Sequence, residues 1–570
     1  MTDSERANRP KFSWELGTCI PPQILGPGGY LPVKQTSLEA LTLITGSECH
    51  YEDDDLLDLS QFRALRQISW IGLHSDSHFM DLQYALETNS KHLTHLRLEY
   101  VNQPDVSCFG DNHDTDGDDA NSGDQGIYYR NYFAREALGL KRSAISLGDV
   151  MFPSLSSLSL GCVPLKNAEK ALVHALNISG LRHLSLRQCP GMDNFLTEVA
   201  ASGQILSLLS LEYTCGAGGY DMCAALEGIF RIAPNLTDLF LLLPGPTSTL
   251  EFWRALAHSR LPITRFIYHQ RWVNFDENSS PYAKEEDLSN LSLVPRDMDE
   301  VKKAGEQHPF AQMNLECLGL GADPRHIMGI IGSPSATKSL KLLHIRKSGS
   351  DMVGSMVSRT HCGYPDLMSD SEEMEIDDDR DLEDDIETQM LGGSAVRDML
   401  RAGDSLSLRQ ALLESASSIR DGESIGDSEA MVELRKLPRN VIAFSHWAFG
   451  ADGIPSLQVL AYGDFSFEGR FKSENIILCR QAWTIPKEDT TLPFRPIRDS
   501  DINMMELVTA AGGGPEPHIL FHNVNKKRNM RGKVPVTALP VRMAKKLETE
   551  YAWKSTSDGF TSTNDQETGN

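Results

Sequence analysis

One pattern recurs along the chain: apolar-x-x-apolar-x-apolar, beginning at Leu38, Leu65, Leu93, Leu155, Leu181, Leu206, Leu236, Ile263, Leu315, Leu340 and Leu457. Successive starts lie 25 to 30 residues apart, except across three gaps of 62, 52 and 117 residues. The closing apolar-x-apolar step has the two-residue period of a strand, so each repeat predicts one strand. Between them, Phe79–Glu87, Asn167–Leu176, Asp193–Ala201, Asp221–Ile232, Thr249–His258 and Pro324–Ile331 carry apolar residues three and four apart, which predicts helices. In Asp221–Ile232, for example, Met222, Ala225, Leu226, Ile229 and Phe230 share one face. A single strand–helix unit cannot bury its apolar face alone, so neighbours must stack into one continuous core.

Units of this length and order resemble the leucine-rich repeats of the ribonuclease-inhibitor type. The resemblance implies an α/β solenoid, with a curved parallel sheet on the concave side and helices on the convex side. The motif LxxLxLxxC is complete over Leu181–Cys189, and its ninth position is degenerate at Val163, Thr214 and Asp323. The expected layout is an N-terminal extension over 1–34, then a repeat array over 35–346 with insertions at 102–126 and 272–312. An acidic, disordered insertion follows over 347–436, then a terminal repeat and cap over 437–482, a C-terminal extension over 483–550 and a disordered tail over 551–570.

Charge supports the insertions. The formal net charge is -25, and most of it sits in two runs: seven Asp without Lys or Arg between Asp105 and Asp124, and thirteen acids with one Arg between Asp366 and Glu387. The remainder is close to neutral, so no nucleic-acid partner is expected. The apolar runs are far shorter than a membrane span needs, and Met1–Arg6 lacks the apolar segment of a secretory leader. No membrane partner and a cytoplasmic or nuclear location follow as expectations. Ten cysteines without a CxxC pair are expected to be buried, reduced thiols. Lys526–Lys533 is a basic cluster, read as an import signal or a solvated loop.

The irregular repeats, the acidic insertions, and the stretches His446–Gly450 and Leu457–Phe465 look like fungal F-box/leucine-rich-repeat proteins. In that family the repeats select a protein target, and an F-box docks on the adaptor of a cullin-RING ubiquitin ligase. The resemblance therefore implies a substrate-recognition arm of such a ligase. The box itself is not found: Pro10, Pro21, Pro22, Pro27 and Pro32, with Gly17, Gly26, Gly28 and Gly29, leave no room for three helices before Leu38. A repeat-bearing GTPase-activating protein of a small GTPase is the alternative reading.

With leucines at positions one, four and six facing the core, positions three, five and seven face the partner. That assigns His95, Arg97, Glu99; His183, Ser185, Arg187; Leu208, Ser210, Glu212; Asp238, Phe240, Leu242; Arg265, Ile267, His269; and Leu342, His344, Arg346. Four Arg and four His against three acids predict a mildly cationic arc suited to acidic or phosphorylated protein segments. Leu208, Phe240, Leu242 and Ile267 offer an apolar anchor instead. The run Asp366–Glu387 could fold back on the same arc. Asn112–Gly117 lacks the bidentate Glu of a calcium loop, and no GxSxG, HExxH or other catalytic pattern occurs. No enzyme activity, cofactor or metal is expected.

Overall fold

In the computed structural model, the described residues are 10–46, 57–73, 76–100, 133–140, 150–215, 222–244, 249–271, 295–333, 335–346, 439–463, 475–481, 492–498 and 500–511. The chain divides into units 1–517 and 518–570, and every described residue belongs to the first. That unit is an α/β structure built on one open sheet of 14 strands, ordered in space as in sequence.

The strands are β1 Lys11–Trp14, β2 Ala40–Ile44, β3 Gln67–Leu73, β4 His95–Tyr100, β5 Ser157–Gly161, β6 His183–Arg187 and β7 Ser210–Thr214. They continue as β8 Asp238–Pro244, β9 Arg265–Arg271, β10 Cys317–Leu320, β11 Leu342–Arg346, β12 Val459–Gly463, β13 Ile476–Arg480 and β14 Phe494–Pro496. All pairings from β1 to β12 are parallel, and the last two, β12–β13 and β13–β14, are antiparallel.

Strand alternation divides the sheet into two sides. Leu158, Leu160, Leu184, Leu186, Leu211, Tyr213, Leu239 and Leu241 belong to a core shared with the helices. The residues between them face the opposite, open side. The helices of the core layer are α1 Pro22–Leu25, α2 Tyr30–Lys34, α3 Asp76–Asn89, α4 Glu169–Ala175, α5 Met192–Ala201, α6 Met222–Ile232, α7 Thr249–His258, α8 Pro295–Lys303, α9 Pro324–Ile331 and α10 Arg439–Phe449. In α6 the five apolar residues singled out in the sequence are all buried. α7 and α9 have the expected bounds.

Three expectations about boundaries change. The N-terminal extension is not outside the array, because β1 pairs with β2 over Lys11–Trp14. The second half of the expected insertion 272–312 is packed: Phe310 lies 4.7 Å from the Trp253 ring, and Arg254 donates to Glu300 at 2.7 Å. His308 is buried there, accepting from the Phe310 amide through Nδ1, with Nε2 2.8 Å from the Ile330 carbonyl. That geometry requires a neutral ring with its proton on Nε2, and burial pushes its pKa down accordingly. The C-terminal extension contributes β14 and a last helix, α11 Ile502–Ala511. The acidic insertions 102–126 and 347–436, the Asn112–Gly117 segment, the basic cluster Lys526–Lys533 and the tail 551–570 lie outside the described residues.

The last strands close their end of the sheet from both sides. On the core side, Arg480 donates to the carbonyls of Phe449, Ile454 and Leu457 at 2.8, 2.7 and 2.8 Å, satisfying groups left over where α10 ends. On the open side, Cys479 pairs with Val459, and its thiol lies 4.0 Å from Asp501, the residue before α11. Asp501 accepts two bonds from Arg495, each 2.7 Å long. Together with the packing of α11 against β12, these contacts place α11 on the open side of the sheet's end.

Cysteine usage corrects one expectation. Cys162, Cys189, Cys215, Cys223, Cys317 and Cys479 form no disulfide. Burial pushes the thiols of Cys189 and Cys317 up to about 12, as for small core residues. Cys19, by contrast, is exposed and disulfide-bonded. It lies on the lead-out from β1 rather than in the core, so it does not pack as a hydrophobe.

Candidate functional site

The register of the strands turns the open side into three rows that run across the sheet. The first is His95–Ser157–His183–Ser210–Asp238–Arg265–Cys317–Leu342–Val459. The second is Arg97–Ser159–Ser185–Glu212–Phe240–Ile267–Gly319–His344–Ala461, by the same pairings. The third begins Glu99–Gly161–Arg187–Thr214–Leu242–His269 and resumes beyond β10 at Arg346–Gly463. All the residues expected on the partner-facing side lie on these rows, with one exception.

The exception is Leu208, which belongs to the main core and is 1% exposed. The repeat there starts at Leu208, two residues later than expected, and β7 opens at Ser210. The stretch Ile205–Leu211 holds enough leucines to satisfy the motif in two registers, and only the pairing with β6 selects one. The apolar patch therefore consists of Phe240, Leu242 and Ile267, which form a cluster separate from the main core.

Over β4–β7 the open side is an ionic and hydroxyl network. Arg187 Nη2 donates to Glu99 Oε2 at 3.3 Å and to Ser159 Oγ at 3.2 Å, while Arg97 Nη2 lies 3.5 Å from the same carboxylate oxygen. Two guanidinium groups thus converge on one carboxylate. Gly161, on the intervening strand, makes this possible: a Cβ there would come within 2.7 Å of the Glu99 side chain. Beside this group, Ser185 donates to Glu212 at 2.6 Å, and Arg265 pairs with Asp238.

From β8 to β11 the same side holds the apolar cluster beside the Asp238–Arg265 pair and is largely buried. Arg346 stands with its guanidinium carbon 4.7 Å from the centre of the Phe240 ring, three strands away. The reach crosses β10, whose Gly319 has no side chain and is followed by Gly321; a Cβ at Gly321 would meet the His269 ring at 2.2 Å. Arg346 and His269 are each 2% exposed and His344 is 5% exposed. Burial holds the His344 ring well below its ordinary pKa, with Arg346 adding to the effect, and burial also lowers His183. Both rings are therefore neutral near pH 7.

The predicted cationic surplus is much reduced by this geometry. Four arginines share the rows with three carboxylates, and Arg97, Arg187 and Arg265 are each engaged by one of those acids. Sequence reasoning missed Ser159, Gly161, Cys317 and Gly319 on the same rows, and Gly321 just past β10. The signal was present: glycine at a partner-facing strand position, in SLSLG and CLGLG, marks a place where a longer neighbour crosses over.

Among the described residues, no cluster of three His, Cys, Asp or Glu could hold a metal ion, and no helix is long and apolar enough to cross a membrane. Comparison of the sequence with protein-family profiles and with curated proteins gives no match.

Proposed function

We propose that the chain is a leucine-rich-repeat scaffold whose open sheet face binds a segment of another protein. The observation that carries this reading is the half-buried Arg97–Glu99–Arg187 cluster on that face. Arginine is enriched at protein-binding hot spots. The convergence of Arg97 and Arg187 on one oxygen of Glu99 favours an acidic or phosphorylated segment. An incoming carboxylate or phosphate can take the place that Glu99 now fills, with Arg187 supplying a forked donor.

A phosphoserine peptide library tests this directly. The full chain should enrich acidic phosphopeptides; changing Arg97, Arg187 and Arg265 together to Ala should abolish the enrichment. Glu99→Gln should tighten it, because both guanidinium groups lose their internal acid. Equal recovery by the triple variant would remove the acidic-ligand reading. The finer assignment, a substrate arm of a cullin-RING ligase, rests on the family resemblance and is tested by copurification of a cullin with its adaptor.

A further inference from the structure

The first strand of the sheet carries a self-complementary edge. Among the described residues β1 pairs only with β2, so the other row of its backbone amides and carbonyls points outward. Such an edge is a template for a further strand unless something blunts it. Phe12 and Trp14 pack on the main core yet stay half-buried, while Lys11, Ser13 and Glu15 alternate with them and are exposed. The neighbouring connection adds apolar surface: Leu16 is 69% exposed, Val33 55% and Tyr30 41%. End units of a repeat array ordinarily need a polar outer face to remain soluble, and this one mixes exposed apolar side chains with its polar ones.

The order of residues specifies what fits. Laid antiparallel on itself about a two-fold axis at Ser13, the strand sets Lys11 opposite Glu15, Phe12 opposite Trp14, and Ser13 opposite Ser13. Opposite charges meet on the open side, aromatics meet on the core side, and no position is mismatched. A one-residue slip would bring core-side and open-side residues into opposition, so the register is specific. Within one chain, Ser13 Oγ donates to Glu15 Oε1 at 2.5 Å, and the Trp14 indole donates to the Thr18 carbonyl at 3.0 Å.

We propose that two copies of this chain join edge to edge through β1, antiparallel about a two-fold axis at Ser13, with reciprocal Lys11–Glu15 pairs. A closed, isologous contact of this kind ends at two copies, because each β1 edge is used once. It is independent of the partner-binding face, which lies across β4–β11.

Sedimentation velocity of the full chain over a concentration series tests the proposal. The unchanged protein should dimerise, and Lys11→Glu or Glu15→Lys should each raise the dissociation constant about tenfold or more, since each sets like charges opposite. Mixing the two single variants should restore a heterodimer, because the K11E edge, acidic at both positions, then faces the E15K edge, basic at both. The double exchange K11E/E15K should restore the homodimer. Both positions are exposed, and an unchanged circular dichroism spectrum checks that the variants fold. A monomer at every concentration, or a dimer indifferent to these changes, would overturn the assignment.

Discussion

The two ends of the sheet are built differently. At the β14 end, Arg480 ties the last strands to α10 through three backbone carbonyls, Arg495 grips Asp501, and α11 packs against β12. At the β1 end no comparable arginine appears among the described residues, the edge strand is partly exposed, and a buried carboxyl group, Asp81, stands on α3 behind β3. A repeat array must stop somewhere, and each stop leaves polar backbone and apolar core without a next unit. One end resolves this with side-chain donors, the other leaves surface to be covered by something else.

The largest effect is expected at the closed end. Arg480→Ala would leave three carbonyls without their charged donor and should cost about 3 kcal/mol, read as a lower urea midpoint. Arg480→Lys should recover only part of this, because an ammonium cannot span the same three acceptors in a fixed fork. An unchanged midpoint for the alanine variant would mean that the β14 end is not held there.

The two ends should also answer acid in opposite directions. Asp81 accepts from the Leu57 amide at 3.0 Å, and burial raises its pKa from 3.8 to about 7. The folded state then keeps a proton that the unfolded state loses, so this group's stabilisation is full below pH 4 and fades as pH rises to 7. Asp81→Asn should remove that slope and stabilise the protein above pH 7 by on the order of 2 kcal/mol. Protection of the Leu57 amide against hydrogen exchange is the local readout, and a slope that survives in the variant would assign it elsewhere.

Asp501 has the reverse sign, because Arg495 holds its carboxylate below the ordinary 3.8. Its contribution is present above about pH 4 and is lost as pH falls through the lowered value. The pair is only half-buried and solvent screens it, so Asp501→Asn should cost only about 0.5 kcal/mol at pH 7. Protection of α11 amides, measured at pH 3 and pH 7, should fall with acid in the unchanged protein and be insensitive to it in the variant.

Much of the array was legible because the period is carried by residues that must be buried. Eleven leucine-type starts became β2–β12, and α7 and α9 have the bounds that three- and four-residue spacing predicts. Where leucines were too abundant, legibility failed: Leu206 and Leu208 both satisfied the motif, and only pairing with β6 placed Leu208 in the core. β1, β13 and β14 carry no leucine period and were invisible for that reason.

On the open side, residue identity was readable but state was not. His344 and Arg346 lie on the open side, yet nothing in HIR indicates that both would be buried or that Arg346 would cross three strands to Phe240. The chain alone determined the repeating unit, its order and which residues share each side, since those depend on local periodicity and on the need to hide leucine from water. Tertiary structure decided which arginine meets which acid, which histidines are neutral and how each end stops, because these depend on distances between units far apart in sequence.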